Sequence, residues 1–401
     1  MPQLAPKELC NGCEACANIC AHGCISFQLN NTGFYYPLVN AEQCTNCGLC
    51  EKTCPILNND SLTFRHIEYN DTIAYGAYIK NQKDIMKSAS GGIAYALAQY
   101  IFKQGGVVYG VIYQNRFRDV VYTRSCTLES FQAMRGSKYV MARKYTIYKD
   151  VKKDLKSGKK VLFIGLPCEV GGLYSYLGHD YTELYTTELI CAGTGSYLAH
   201  QDFLDSFEKQ ASSEICTFTY RHKKRGQLPY YIAVQSNHHK RYLSEFSFSA
   251  LGSCIEKYKR ESCYHCIYKS ENRKADLTIG DFWTLNPLHP IYNHWGTSVI
   301  FPRTIKGKRL FERLDNIIKQ QVNISIALRS NYGQLKTNSL PPNNRTEIEN
   351  VLLAQGIEGF ARHYTPLPSI SHRLIGYIPG NCYKHIKKMG YWLKSKLHGI
   401  R

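Results

Sequence analysis

The sequence predicts a small cysteine-rich α+β module followed by a larger α/β body with mixed sheets. Three observations carry that prediction. The spacing C-x2-C-x2-C-x3-C occurs twice, from Cys10 to Cys20 and from Cys44 to Cys54. Further on, short apolar runs of strand length alternate with helical stretches, and several of those runs end in a Gly- or Cys-bearing turn. Between the two patterns lies a polar stretch, roughly 58–71, that reads as a linker.

The first element is LCNGCEACANICAHGC, the second QCTNCGLCEKTCP. Each resembles the ligand run of bacterial-type ferredoxins, so residues 1–58 read as an α+β ferredoxin-like dicluster domain. Three cysteines two residues apart wrap a loop round three corners of a cubane, and the fourth reaches across to the other cluster. One 4Fe–4S cluster is expected on Cys10, Cys13, Cys16 and Cys54, the other on Cys44, Cys47, Cys50 and Cys20. Structural zinc is the plainer alternative, but it usually takes paired Cys-x-x-Cys motifs. Disulfides need an oxidising compartment, and no signal peptide is visible in MPQLAPKELC. Cys20 is followed by Ala21 where the second copy has Pro55, and Cys24 lies four residues on. Cys24 reads as a spare buried thiol, with competition for the place of Cys20 as the alternative.

The chain has 401 residues, enough for two or three further domains, and is 44% hydrophobic, enough for ordinary cores. No apolar run approaches the roughly 18 residues of a membrane span. A soluble protein of a reducing cytoplasm is the expectation. Its formal net charge is +19. Two clusters at roughly −2 each, thiolates included, leave roughly +15. Such a surface favours anionic partners: phosphate-bearing cofactors, an acidic coenzyme or redox protein, or a membrane surface. No helix-turn-helix or RNA-binding signature supports nucleic acid.

In the body, residues 72–80 read as a strand, 84–103 as a helix with the patch Ser88-Ala89-Ser90-Gly91-Gly92 near its start, and 106–113 as a second strand. A glycine-rich helix start can hold phosphate on backbone N–H groups; glycines allowing helix-on-sheet packing are the equal alternative. RGSKYVMA places Ser137, Lys138 and Tyr139 in what reads by default as a solvated loop. KVLFIG is a buried strand leading to Cys168, and residues 182–190 form another ending at Cys191. Cys263-x-x-Cys266 precedes a strand in ADLTIGDF, and strands are also read in RGQLPYYIAV and GTSVIFP. Ligands gather at strand ends of open α/β sheets, so these four cysteines could share one more cluster. Zinc or a redox dithiol would explain the lone Cys-x-x-Cys equally. His22, His265 and His372 show no ligand spacing, and Cys126, Cys216, Cys254 and Cys382 read as buried thiols. Thr346 reads as a helix cap. The basic, aromatic C-terminal stretch reads as a solvated helix packed on its own protein, with peripheral membrane contact as the second reading.

In order, KSASGGIAYALAQYIFKQGGVVYGVIY, RGSKYV, VLFIGLPCEVGGL, ICAG, and CYHC followed by ADLTIGDFW resemble the marker blocks of the coenzyme F-420 hydrogenase/dehydrogenase beta subunit family, over about 72–302. The resemblance implies an α/β catalytic body binding FAD and a third 4Fe–4S cluster. Ser90, Gly91, Gly92, Ser137, Lys138 and Tyr139 would lie near the flavin. Cys168, Cys191, Cys263 and Cys266 would hold the cluster. It divides the body into 72–150 (flavin-binding) and 151–330 (third cluster), with a helical basic tail at 331–401. ICAGTGS departs from the family's cysteine-histidine-glycine, which puts the neighbouring substrate contacts in doubt. The function implied is an iron–sulfur flavoprotein oxidoreductase working with a redox partner protein or ferredoxin. Its small-molecule acceptor would be a deazaflavin or a glycan-pathway intermediate, since relatives also occur beside surface-polysaccharide genes. A non-catalytic electron relay is the alternative. No acid/base dyad stands out, so no catalytic residue is assigned.

Overall fold

The computed structural model describes residues 1–58, 62, 64–269 and 273–397. Part of the 58–71 stretch, part of the run after Cys266 and the last four residues lie outside them. The N-terminal module is a hairpin of β1 (Ile25–Leu29) and β2 (Tyr35–Val39) with short helices Ala15–Ile19 and Leu49–Lys52. Gly33, at φ 84°, makes the turn.

The body is built on one eight-stranded sheet. Its strands are β3 (Ala74–Ile79), β4 (Val107–Gln114), β5 (Asp119–Ser125), β6 (Val161–Gly165), β7 (Leu184–Leu189), and three given below after a smaller sheet. That smaller sheet comprises β8 (Ile215–His222), β9 (Tyr231–Ser236) and β10 (Arg241–Glu245), all antiparallel. The large sheet is completed by β11 (Leu277–Asp281), β12 (Ser298–Pro302) and β13 (Ile317–Val322). Its order is β13-β3-β12-β11-β7-β6-β4-β5. The central pairs β4/β6, β6/β7 and β7/β11 are parallel and the rest antiparallel, so the sheet is mixed. Strands from 72–150 and from 151–330 share it: β3 lies between β13 and β12, and β4 and β5 follow β6 at the other edge.

The central strands are apolar throughout because both faces are covered. Val161 and Phe163 of β6 pack on one core, Leu162 and Ile164 on the other. The smaller sheet closes a third core with helices Tyr197–Ala211, Ala250–Lys257 and Arg345–Tyr364.

Several expectations need correction. The helix expected over 84–103 is two helices, Gln82–Met86 and Ile93–Lys103. Between them Gly92 takes φ 85°, and the Gly91 carbonyl accepts from Ile79 N–H at 2.7 Å, so the chain is pressed against β3. The cap of the 345–364 helix falls at Asn344, not Thr346. In RGQLPYYIAV only the segment from Tyr231 is strand. Cys126, Cys216 and Cys382 are exposed, and only Cys254 of that group is buried. Cys126 follows the end of β5, and the Cys216 thiol reaches the Gln235 carbonyl at 3.3 Å from the outer side of β8.

The module is not a bead on a string. Cys13 and Ala15 belong to the same core as β6, and Phe34 to the core under the smaller sheet. The connecting stretch is strapped down where it is described. Buried Arg65 pairs with Asp180 at 2.5 Å and with Asp276 at 2.8 Å.

Candidate functional site

Two left-handed turns shape the N-terminal cysteine loops. Gly12 (φ 69°) and Glu14 (φ 62°) lead into the helix after Cys13; Asn46 (φ 55°) and Gly48 (φ 70°) lead into the helix holding Cys50. Burial pushes the Cys13 thiol up to about 12, and the nearness of Cys54 and Cys10 adds to the rise. Burial also pushes Cys16 well up, with Cys13, Cys10 and Cys54 adding. Cys10, Cys13, Cys16 and Cys54 thus stand in one electrostatic neighbourhood although about forty residues separate its ends. The second set is looser. Burial raises Cys50, and Cys47 adds a little. Cys20, Cys24 and Cys44 pack with Cys50 around Ile25 and Phe27. Cys24 lies with its Sγ 3.3 Å from that of Cys20. Hydrogen bonding to Cys20 is the main cause that lifts the Cys24 thiol to about 12, with a second bond to Cys44.

The body gathers four more thiols. Cys168 opens the helix Pro167–Leu177 just beyond β6, Cys191 follows β7, Cys263 lies within the turn Glu261–His265 and Cys266 directly follows it. All four line one small pocket. Burial raises Cys191 to about 12, with Cys263 next and Cys266 also adding, while the Gly193 N–H, 3.3 Å from its Sγ, opposes. Burial likewise raises Cys168, followed by Glu169, Cys266 and Cys191.

One helix joins the first and third groups. On Pro167–Leu177, a Cβ at Gly172 would sit 2.7 Å from the Cys13 Cβ, and one at Gly171 would overlap the Tyr268 ring. Only glycine admits the N-terminal loop this close to the helix that carries Cys168. Buried cations fasten the loop. Lys144 donates to the Gly12 carbonyl at 3.3 Å and pairs with Glu169 at 2.9 Å. Arg260 donates to the Cys10 and Tyr35 carbonyls at 2.8 and 3.0 Å, and Tyr148 to the Cys13 carbonyl at 2.9 Å.

The donor set fits iron–sulfur clusters. Four thiols set close together repel one another as thiolates, and a cationic core relieves that repulsion. Asn11 Nδ2, Ser262 Oγ, Tyr268 Oη and Arg260 Nη2 are buried with no hydrogen-bond partner among the described residues. Asn11, Ser262 and Tyr268 line the body's cysteine pocket, and Arg260 reaches the Cys10 loop. Such donors match the sulfur acceptors of a cluster.

Beside this pocket lies a cavity of about 720 Å3. It sits over the carboxyl ends of β6, β7 and β11, where open α/β sheets bind ligands. Ser90, Gly92, Ser137, Lys138 and Tyr139 line it. Gly91 packs behind them, where a Cβ would meet the Ala77 carbonyl at 2.5 Å. Cys191, Gly193 and Thr194 line both this cavity and the cysteine pocket. Burial pulls the Lys138 ammonium down to about 7. Arg221 donates to both Asp281 oxygens at 2.8 and 3.0 Å and lies over the Tyr230 and Trp283 rings. Arg221 and Arg135 each keep a buried Nε–H without a partner among the described residues. The volume suits a large organic ligand, and two arginines with spare donors fit the phosphates of a dinucleotide such as FAD.

Sequence reasoning missed Arg221, Asp281, Lys144 and Arg260. Asp281 could have been found, because it ends β11 in a quoted block. The arginines and Lys144 look like solvated charges in sequence.

Fold and cysteine geometry together define an iron–sulfur protein with a dicluster ferredoxin module fused to an α/β redox body. Residues 9–57 match the 4Fe-4S dicluster domain model. Residues 158–323 match the model for the C-terminal part of the coenzyme F420 hydrogenase/dehydrogenase beta subunit. The chain thus joins a region matching that beta subunit family to a dicluster domain. Two curated relatives match the module alone. Ketoisovalerate oxidoreductase subunit VorC of Methanothermobacter marburgensis is 32% identical over 65 residues, 16% of this chain and 82% of VorC. Ferredoxin-type protein NapF of Haemophilus influenzae is 32% identical over 59 residues, 15% of this chain, so the match spans about a third (32%) of NapF. A chain of the F420-reducing [NiFe] hydrogenase complex from Methanosarcina barkeri is similar at 17% identity and TM-score 0.46, over 72% of this chain and 94% of that one.

Proposed function

We propose that the protein is an iron–sulfur flavoprotein oxidoreductase with three 4Fe–4S clusters and one FAD. The single observation that carries this is the Cys191–Thr194 turn, shared by the four-cysteine pocket and the large cavity. With clusters and flavin bound, the chain would interconvert single electrons and the electron pairs of an organic molecule. Cys10, Cys13, Cys16 and Cys54 would hold the first cluster; Cys44, Cys47, Cys50 and Cys20 the second. Cys168, Cys191, Cys263 and Cys266 would hold the third. Ser90, Gly92 and the Ser137–Tyr139 turn would line the flavin site, with Arg135 and Arg221 facing its phosphates and Gly91 setting the backbone. The protein's own part is positional. Gly171 and Gly172 bring the N-terminal loop against the body, while Lys144 and Arg260 place fixed positive charge beside it.

The match of residues 158–323 to the beta subunit model supports a deazaflavin as the organic partner, and the dicluster module supports a ferredoxin or similar redox protein as the electron source or sink. A glycan-pathway intermediate is the second substrate class to assay. Thiolate-held clusters suit a reducing compartment such as the cytoplasm. The alternative of a bare relay is disfavoured by the cavity, since passing electrons between clusters needs no space for a large ligand.

Cofactor content of anaerobically purified protein tests the proposal. About twelve irons and one FAD per chain are expected. Cys263→Ala with Cys266→Ala should lower iron by about four. About eight irons, no flavin and no effect of that double variant would overturn it.

A further inference from the structure

We infer that the C-terminal segment from Pro366 onward docks the protein on an anionic lipid surface. Two independent features point there. The first is a reversed helix. In Gly380–Leu397 the half-buried positions are Tyr383, Lys384, Lys387 and Lys388, which fall on one side. Lys387 lies over the Tyr292 ring, and Tyr383 faces His294 and Arg225. Ile386, Met389 and Leu393, spaced three and four apart on another side, are exposed. A helix that merely packed on its own protein would bury these and turn its lysines outward. The helix packs on its own protein as expected, but through its lysine side, and its apolar side is left outward.

The second feature lies just before it. Leu367, Ile370, Leu374 and Tyr377 recur at helical spacing around the short helix Ile370–Ile375. Their exposures run from 65% to 86%, so this row also points to solvent. Exposed apolar side chains on this scale mark an interaction surface.

Charge selects the partner. From 366 to 401 the chain carries Arg373, Lys384, Lys387, Lys388, Lys394, Lys396 and Arg401, and neither Asp nor Glu. Apolar rows flanked by cations of one sign, with Tyr391 and Trp392 among them, are the chemistry of a helix lying in a headgroup layer. Half-buried lysines can extend along their stems to reach the headgroups. No helix among the described residues is long and apolar enough to cross a membrane, so the contact is peripheral.

Co-sedimentation of the cofactor-loaded full chain tests this. The probes are phosphatidylglycerol–phosphatidylcholine vesicles and pure phosphatidylcholine vesicles. Binding is expected to the first, much less to the second, and should weaken steeply with salt. Each of two double variants, Ile370→Glu with Leu374→Glu and Ile386→Glu with Met389→Glu, should weaken binding about tenfold or more. All four side chains are exposed, so iron content should stay at the parent's level. No binding to anionic vesicles at low salt would overturn the inference and assign the surface to an acidic protein. Parent-level binding by both double variants would overturn it too. Neither result would bear on the redox reading, which rests on the cysteines and the cavity.

Discussion

Replacing Lys144 by Met isolates one buried charge at the joint between the N-terminal loop and the body. Lys144 is fully buried and lies 2.9 Å from the buried carboxylate of Glu169. At an effective dielectric constant of about 20, that distance gives an attraction of about 6 kcal/mol, set against desolvation of several kcal/mol per ion. Methionine fills similar space but leaves Glu169 buried with only the Tyr122 hydroxyl and Leu166 N–H donating to it, at 2.6 and 2.8 Å. Breaking such a pair from one side typically costs about 3–5 kcal/mol. Lys144 also loses its bonds to the Gly12 and Ala142 carbonyls, so the Cys10–Cys16 loop loosens with it. The assay is the guanidinium midpoint of anaerobic protein, followed by cluster absorbance and by tryptophan fluorescence. Lys144→Met should be far less stable than the parent, while Lys144→Met combined with Glu169→Gln should recover part of the loss. A coupling of at least about 1 kcal/mol between the two sites is expected from their contact. A single variant within about 0.5 kcal/mol of the parent, or strictly additive effects, would refute the argument that this pair fastens the module.

Gly172→Ala should destabilise by about 1–3 kcal/mol, because its Cβ would press on Cys13 and the Tyr148 hydroxyl. It should also shift the low-temperature EPR signal of the first cluster. Gly333→Ala, where nothing lies within 4 Å, is the control and should do neither. Cys24→Ala should keep the full iron content, whereas a loss of about four irons would make Cys24 the ligand in place of Cys20. His200 is buried between the Phe117 carbonyl and the Tyr220 hydroxyl, and burial holds its pKa at about 4 against an ordinary 6.5. Below pH 6.5 the unfolded chain takes up a proton that the folded chain refuses, so stability falls as pH drops toward 4, by up to about 3 kcal/mol. His200→Gln should flatten that part of the unfolding-midpoint profile, and an unchanged slope would count against the assignment.

Cysteine spacing alone was enough to predict the dicluster module, because a cluster demands a ligand loop of set size, and the fold brings Cys54 near Cys16. Apolar runs between glycine turns likewise announced the α/β body, since a parallel strand covered on both faces has no polar positions to show. Other features depend on contacts between residues far apart in the chain. Cys168 and Cys191 share one end of the sheet because β6 and β7 lie parallel, and Cys263 and Cys266 reach them only because Lys259 bridges Gly195 and the Arg260 N–H donates to the Thr194 carbonyl at 3.0 Å. The two glycines of Pro167–Leu177 read as flexibility until Cys13 and Tyr268 are seen against them. Lys144, Arg221 and Arg260 look like surface charges in sequence, because burial and pairing are properties of the folded whole. Nor can hydrophobic pattern say which side of the C-terminal helix meets the body. Tertiary packing decided that, leaving the lysines half-buried and the apolar row outside.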